Sequence, residues 1–468
     1  MPDSPENRLC RIQRAIELQA VEGIGLVYAR RLWEHLGPLE HWKEVDFTMV
    51  QHKQSHTWHN HLIKLERQGY AKPYWSWKHQ ELYLSKKADI IHSMGPKRHS
   101  RNLLLLPLSL FYAIGIVLRD LAFRWGINSI IDYEMPIIGV GNLTVGGSGK
   151  TPHTFYLLHH LSQKGLPTAY LSRGYGRKST GYRDVSLQST VENSGDEALL
   201  AKHRFPHTRV VVSESRSQAI PDVYHGRPVQ QVTVLDDAFQ HRSIKPGLQV
   251  LLTRYDMLFC DDYLLPYGRL REFRSGYHRA DVLVVSKCPE GIGLEKQNEI
   301  RDRLRPLSYQ YVCFTAVDYN IPYLVTTHSA EALSQCPKPL LAIAGLADNS
   351  DFFEYMQSMH PSVSCRGFQD HHAYSTYDIE SILETKRHLE AKGSEAISEI
   401  HTTEKDLMRL KDHIHRLEKN GVRLIVHPVE VRDVTLKGPL LLELVDHYTD
   451  YAVQQATNAF PQSPSPDA

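Results

Sequence analysis

A chain of 468 residues with 54 Lys+Arg against 53 Asp+Glu has a formal net charge of +1. That balance excludes a grossly basic nucleic-acid binder, though not a local basic patch. Its 41% hydrophobic and 23% charged content is that of an ordinary globular protein, and the six cysteines are scattered without a C-x-x-C pair, so neither a zinc site nor a disulfide framework is expected. The opening residues are polar and charged, unlike a secretory signal.

Residues 1–98 hold Trp33, Trp42, Trp58, Trp75 and Trp77, five of the six tryptophans. "LQAVEGIGLVYARRLWEHLG" resembles a helix–hairpin–helix with its turn at Gly23-Ile24-Gly25, and the following segment is faintly similar to DNA-processing protein A relatives. Such turns offer backbone N–H groups to DNA phosphate without reading sequence. The segment is only mildly basic, and a helical structural extension is the plainer reading. No functional nucleic-acid binding is expected of it.

Residues 99–125 contain the most apolar stretch, "NLLLLPLSLFYAIGIVLRDLAFRW". Its uncharged run, Leu103 to Leu118, is shorter than the roughly 20 residues that cross a bilayer. Arg119, Asp120 and Arg124 then interrupt it, and Lys97, Arg98 and Arg101 precede it. Basic flanks, an apolar face and a terminal Trp125 suit a helix resting on or dipping into a lipid surface. A buried core helix is the plain alternative.

From 126 to 336 short apolar runs rich in β-branched residues alternate with helical patterns: "MPIIGVGN", "PTAYLSRGYG", "RVVVSES", "VTVLDDA", "LQVLLTRYD", "ADVLVVSK". This rhythm predicts an α/β fold, a parallel sheet with helices on both faces, which the glycine-rich loop after "MPIIGVGN" makes P-loop NTPase-like. "KPLLAIAGLADNSDFFEYMQSM" restarts it, so residues 337–455 are expected to form a smaller α/β lobe. The Pro- and Ser-rich tail, 456–468, is expected to be disordered.

The chemistry sits at the strand ends. "VGNLTVGGSGKTP" follows a strand and opens a helix, but Thr144 stands where a phosphate loop usually has its first glycine. Asn142 and the run Thr144, Val145, Gly146, Gly147, Ser148, Gly149, Lys150 and Thr151 are nonetheless expected to hold a nucleotide. Backbone N–H groups would cradle the phosphates, Lys150 would reach the β- and γ-phosphates, and the Thr151 hydroxyl would bind Mg²⁺. "VTVLDDAFQH" ends an apolar strand in Asp236-Asp237, the place for a metal-binding carboxylate pair, or else for a helix cap. "SRGYGR" sets Arg173 and Arg177 among glycines, and "LLPYGRLREFRSG" gathers Arg269, Arg271, Glu272 and Arg274. "SGDEALL" puts Asp196-Glu197 at a helix start, plainly read as a cap. "FQDHHAY" joins Asp370 to His371 and His372, a metal site or a general acid/base.

In this order and spacing, with "LLPLSLFYAIG" before them and "TTEKD" (Thr402–Asp406) after, these motifs resemble the tetraacyldisaccharide 4'-kinase family of lipid A synthesis, over roughly residues 100–450. The family's own loop also lacks the first glycine. The resemblance implies transfer of the ATP γ-phosphate to the 4'-hydroxyl of a tetraacyldisaccharide 1-phosphate, forming lipid IVA. It implies ATP and Mg²⁺ as cofactors, a lipid substrate, and a peripheral or monotopic enzyme at the cytoplasmic face of a bacterial inner membrane. By the same resemblance Asp196 is the catalytic aspartate, assisted by His371 rather than His372. Asp236 and Asp237 match the metal pair, Glu272 becomes a metal or nucleotide contact, and Arg271 a phosphate contact. Two other readings fit a bare phosphate loop: a nucleotide-dependent membrane scaffold or switch, and a P-loop kinase with another acceptor. "VVSKCPE" lacks the Asn and Asp of a guanine-specific strand end, which speaks against a guanine switch.

Overall fold

The computed structural model describes residues 105–459 apart from 134, 226–230, 327–328, 334–340, 361–362 and 392–398. The helix–hairpin–helix-like segment, the first residues of the apolar stretch and residues 460–468 lie outside the described residues, with the expectations placed on them.

In chain order the strands are β1 (Ile131–Asp132), β2 (Ile137–Asn142), β3 (Thr168–Ser172), β4 (Arg183–Val185), β5 (Arg209–Val212), β6 (Val232–Leu235), β7 (Ile244–Lys245), β8 (Leu248–Arg254), β9 (Val282–Ser286), β10 (Tyr311–Tyr319), β11 (Tyr323–Val325), β12 (Ala330–Ala332), β13 (Leu341–Ala344), β14 (Ser364–Gly367), β15 (Glu399–Thr403), β16 (Arg423–His427) and β17 (Val429–Asp433). The helices are α1 (Leu106–Arg124), α2 (Lys150–Gln163), α3 (Val191–Ser194), α4 (Asp196–Arg204), α5 (Arg216–Tyr224), α6 (Leu294–Leu304), α7 (Ser350–Met359), α8 (Thr376–Ala391), α9 (Glu404–Leu410), α10 (Ile414–Lys419) and α11 (Leu441–Ala459).

A nine-stranded sheet runs β17-β10-β9-β8-β2-β6-β3-β5-β4. Its inner strands are parallel, and both edges, β4 and β17, are antiparallel. The apolar runs are continuous because both faces are covered. Ile138, Val140, Tyr170, Val210 and Val234 face a core shared with Phe155, Leu158 and Leu161 of α2 and Leu199 of α4. Their neighbours Ile137, Ala169, Leu171, Val211 and Leu235 face the opposite core, built with Ile220 and Val223 of α5. The alternation is the period-2 rule of a strand read on two buried faces.

A six-stranded sheet, β12-β11-β16-β15-β13-β14, forms the second lobe. The lobes do not divide at 337. β11 leaves the first lobe early to pair with β16 and carries β12 on its other edge, and β17 returns to pair with β10 over Thr315–Tyr319. The two crossings lie side by side, the Asn320 N–H donating to the Pro428 carbonyl at 2.9 Å. α11 also belongs to the first lobe: the Tyr448 hydroxyl bonds both the N–H (3.0 Å) and the carbonyl (3.1 Å) of Ile137. This helix runs to Ala459, beyond the boundary expected at 455.

α1 is not a core helix. Leu106, Leu108, Leu110, Phe111, Ile114, Val117 and Leu118 are exposed, and Trp125 just after it is 71% exposed. Its other stripe is polar and seated. The Ser109 hydroxyl donates to the Leu264 carbonyl and accepts from the Tyr267 N–H, while the Tyr112 hydroxyl donates to the Arg271 carbonyl at 2.9 Å. Two turns further on, Asp120 pairs with Arg242 at 2.6 Å. The three-and-four spacing of Ser109, Tyr112, Ile116 and Asp120 is one face of a helix.

Candidate active site

The carboxyl ends of β2, β6 and β3 open onto one cavity of about 1220 Å³. That exceeds a drug-sized pocket of roughly 300–1,000 Å³, and open α/β sheets bind ligands at this edge. Its wall carries the loop Thr144–Thr151, Arg173, Glu197, Asp236, Asp237, Arg271 and, from the second lobe, His371 and Lys405.

The loop is shaped by its glycines. Gly146 sits at φ +104°, with the Arg269 guanidinium where a Cβ would stand, and Gly149 at φ +81° turns the chain into α2. Only glycine takes such angles cheaply. No first glycine is needed, because the Val145 N–H donates to the Arg269 carbonyl at 2.8 Å and Thr144 bridges to Leu270. α2 begins at Lys150 and points its positive end into the cavity. Asn142 supports the loop from behind: it is fully buried, and its amide donates to the Ser148 hydroxyl at 2.8 Å. It does not line the cavity.

Asp236 and Asp237 differ sharply. Asp236 accepts from Thr151 (3.2 Å), Thr154 (3.2 Å) and the Tyr170 hydroxyl (2.9 Å). Burial, with Glu197 nearby, pushes its carboxyl up to about 6. Asp237 is partly exposed, and Lys150 and Arg271 outweigh its desolvation and bring it down to about 2. Lys150 Nζ lies 3.9 Å from it and Arg271 2.9 Å. Arg216, which the sequence did not single out, donates to the carbonyls of Asp236 (2.7 Å) and Asp237 (3.0 Å) and fixes the turn.

Glu272 departs from expectation. It is 2% exposed, does not line the cavity, and pairs with Arg279 at 2.9 Å and with Arg119 of α1 at 3.6 Å. It anchors α1 rather than offering itself to a metal. Among the arginines expected at the site, Arg177 ties its own loop to Glu214 and the Gly181 carbonyl. Arg274 closes on the Asp262 carbonyl at 2.7 Å. Arg173 and Arg271 line the cavity, as do Arg204 and Arg216.

On the facing wall His371 Nδ1 is 2.9 Å from Asp196 Oδ2. The two come from different lobes, the "SGDE" turn and the "DHH" turn. Asp196 starts α4, and its Oδ1 accepts from the Glu197 N–H at 2.9 Å. Burial works against its charge, but the His371 hydrogen bond, Lys405 and Arg409 win and hold its carboxyl below the ordinary range. Asp196 is 2% exposed and does not line the cavity, whereas His371 does, with its side chain 20% exposed. His371 has φ +56°, and its ring packs tilted against Tyr175, with centroids 4.7 Å apart. A non-glycine residue in that region stores strain of the kind that clusters at functional sites. His372 points away, pairing with Asp378 at 3.2 Å and stacking on Phe368.

The chain matches the family model described as tetraacyldisaccharide-1-P 4'-kinase over residues 101–445. It is 40% identical over 309 residues to the tetraacyldisaccharide 4'-kinase of Flavobacterium johnsoniae, covering 66% of this chain and 87% of the relative. It is 37% identical over 360 residues to that of Phocaeicola vulgatus, covering 76% and 96%. Among solved structures it is similar to LpxK from Aquifex aeolicus crystallised with ATP, at 28% identity and TM-score 0.56, covering 75% of this chain and 98% of that one. With its phosphate loop, acidic strand end and paired Asp196–His371, the chain belongs to the tetraacyldisaccharide 4'-kinase family, the ATP-dependent lipid kinases of lipid A synthesis.

Proposed function

We propose that the chain phosphorylates the 4'-hydroxyl of a tetraacyldisaccharide 1-phosphate with His371 as the base, Asp196 as its anchor and the phosphate loop as the donor site. One observation carries the assignment: Asp196 and His371 lie in hydrogen-bond contact, and the member facing the cavity is His371. This reverses the roles expected from the sequence, where Asp196 took the proton directly. The Asp196 carboxylate accepts the Nδ1–H and leaves Nε2 to receive the hydroxyl proton. The hydroxyl oxygen bonds to the γ-phosphorus as the bond to the ADP oxygen breaks, and Asp196 stabilises the imidazolium. Phosphoryl transfer asks mainly for positioning and charge neutralisation. Lys150, Arg271 and Arg173 supply the cations for the phosphates.

The residues fit a Mg²⁺ ion. Thr151 and Asp236 bring oxygen donors within 3.2 Å of each other, with Asp237 adjacent, and Mg²⁺ favours one or two carboxylates beside phosphate oxygens. When bound it would neutralise charge on the β- and γ-phosphates. The apolar face of α1 suits the cytoplasmic face of an inner membrane, where the acceptor's acyl chains remain in lipid. The deciding experiment gives purified protein in detergent γ-labelled ATP, Mg²⁺ and the tetraacyldisaccharide 1-phosphate. Label enters the lipid with the wild type and not with His371→Gln, which still binds ATP. Undiminished transfer by His371→Gln would remove the base assignment.

A further inference from the structure

Lys405 lies in the "TTEKD" stretch and has no role so far. It opens α9, which is started by Thr403: the Thr403 hydroxyl accepts from the Asp406 N–H and donates to the Asp406 carboxylate at 2.7 Å. This reciprocal cap fixes the first turn. Lys405 and Arg409, one turn apart, therefore share a face. That face grips both ends of the catalytic pair. Arg409 Nε stands 3.5 Å from Asp196 Oδ2, and Lys405 Nζ stands 3.3 Å from His371 Nε2.

The Lys405 ammonium has three protons and three partners: Glu197 Oε1 at 3.2 Å, Asp370 Oδ1 at 3.5 Å and His371 Nε2. Burial opposes its charge, but Glu197, Asp196 and Asp370 outweigh burial and hold its pKa well above the ordinary lysine value. It is a cation at any working pH, and a cation can only donate. Nε2 must therefore be the unprotonated nitrogen, with the ring's proton on Nδ1 facing Asp196. Without the ammonium, His371 would face Asp196 on one side and Asp370 Oδ2, 3.7 Å from Nε2, on the other. Glu197 would add a further negative charge nearby. Two carboxylates flanking an imidazole draw a second proton onto it, and an imidazolium is no base.

We propose that Lys405 is a positioning residue for the phosphoryl transfer, holding His371 in the Nδ1–H tautomer and keeping a second proton off Nε2 until the acceptor arrives. The inference rests on His371 being the base. When the acceptor hydroxyl takes its place at Nε2, the ammonium keeps Glu197 and Asp370. The hydroxyl proton passes to Nε2, the new O–P bond forms, and the old P–O electron pair leaves on ADP. The ring then returns its proton to water, and the ammonium closes on Nε2 again. The groups that set the balance are Asp196 and Glu197 of α4, Asp370 beside the ring, Lys405 and Arg409 of α9, and the Tyr175 ring packed against it.

The test is the pH profile of kcat for the full chain in detergent, with ATP binding measured alongside. In Lys405→Met the acid limb moves up by roughly one pH unit, so the loss is about tenfold on that limb and shrinks at alkaline pH. ATP affinity stays within about twofold, since Lys405 acts through the histidine. Lys405→Arg keeps the wild-type limb, and Lys405→Met with Asp370→Asn returns it toward wild type. A parallel fall at every pH, or no change, overturns the proposal. A second readout needs no variant of Lys405. In ¹⁵N-histidine-labelled protein, with His371 assigned by its loss in His371→Gln, Nε2 gives a pyridine-type shift and Nδ1 a pyrrole-type shift at neutral pH. The opposite tautomer also overturns the proposal. If His371→Gln itself transfers phosphate normally, the base assignment has failed instead, and the two failures are told apart.

Discussion

At the scale of single residues the site divides its carboxylates by environment. Asp196 is held ionised because a histidine and two cations of α9 answer its charge. Substituting Asp196→Asn removes the ring's anchor and leaves the phosphate loop untouched. The expected result is a fall in kcat of about 10²–10⁴ with ATP affinity unchanged, read by steady-state kinetics and a fluorescent ATP analogue. Loss of ATP binding in parallel would show that the residue serves the fold instead. Asp236 is the opposite case, its carboxyl pushed to about 6 by burial and Glu197. Below that value the folded, ligand-free protein carries a proton there, and above it none. A metal requires the carboxylate, so Mg²⁺·ATP binding should release a proton near pH 5.5 and release progressively less as the pH rises through 6 toward 8. Calorimetry in buffers of different ionisation enthalpy reads this directly, and a proton count independent of pH would contradict it. The phosphate loop was legible because it is contiguous and each residue type has one use. His371 and Lys405 were less so, since their partners lie in the other lobe. "TTEKD" could be quoted but not understood until α9 was seen against α4.

At the scale of elements α1 shows what periodicity can and cannot say. As sequence, an apolar stretch with basic flanks suits a lipid surface, with a buried core helix as the plain alternative. The structure excludes the core through the polar stripe, where Ser109, Tyr112 and Asp120 are spent on Leu264, Tyr267, Arg271 and Arg242. What remains outward is apolar over almost every turn. The two stripes make separable predictions. Phe111→Asp, at an exposed position, should lower sedimentation with anionic vesicles and lower turnover on the lipid acceptor, while ATP affinity holds. Unaltered vesicle binding would count against a lipid-facing α1. Tyr112→Phe removes one hydrogen bond to the Arg271 carbonyl, worth about 1 kcal/mol. It should leave vesicle binding alone and weaken ATP binding modestly through Arg271. Glu272, expected from the family resemblance to contact metal or nucleotide, is placed elsewhere: successive residues of "LRE" point to different sides, and of the two only Arg271 reaches the cavity.

At the scale of the whole molecule the chain was expected to divide at residue 337, because "KPLLAIAG" restarts the strand–helix rhythm. Rhythm locates strands and says nothing of which sheet they join. The real connections cross twice, at Asn320 and at Pro428, so each lobe is completed by sequence from beyond the expected boundary. A fragment of residues 101–336 would lose β17, leaving β10 as an open edge over Thr315–Tyr319. It would lose α11, whose Tyr448 hydroxyl satisfies Ile137 at the root of the phosphate-loop strand. It would keep β11 and β12 without β16, the strand that β11 pairs with. Unpaired edges invite association between chains, and a core stripped of a packed helix loses the burial that offsets chain entropy. That fragment should aggregate or melt without cooperativity and bind no ATP, although it contains every residue from Asn142 to Arg271. Residues 101–459 in the same detergent should melt cooperatively and bind ATP as the full chain does. Circular-dichroism melting and titration with a fluorescent ATP analogue compare the two. A cooperative transition with ATP binding in the shorter fragment would mean that the first lobe folds on its own, and that the two crossings serve only to bring His371 to Asp196.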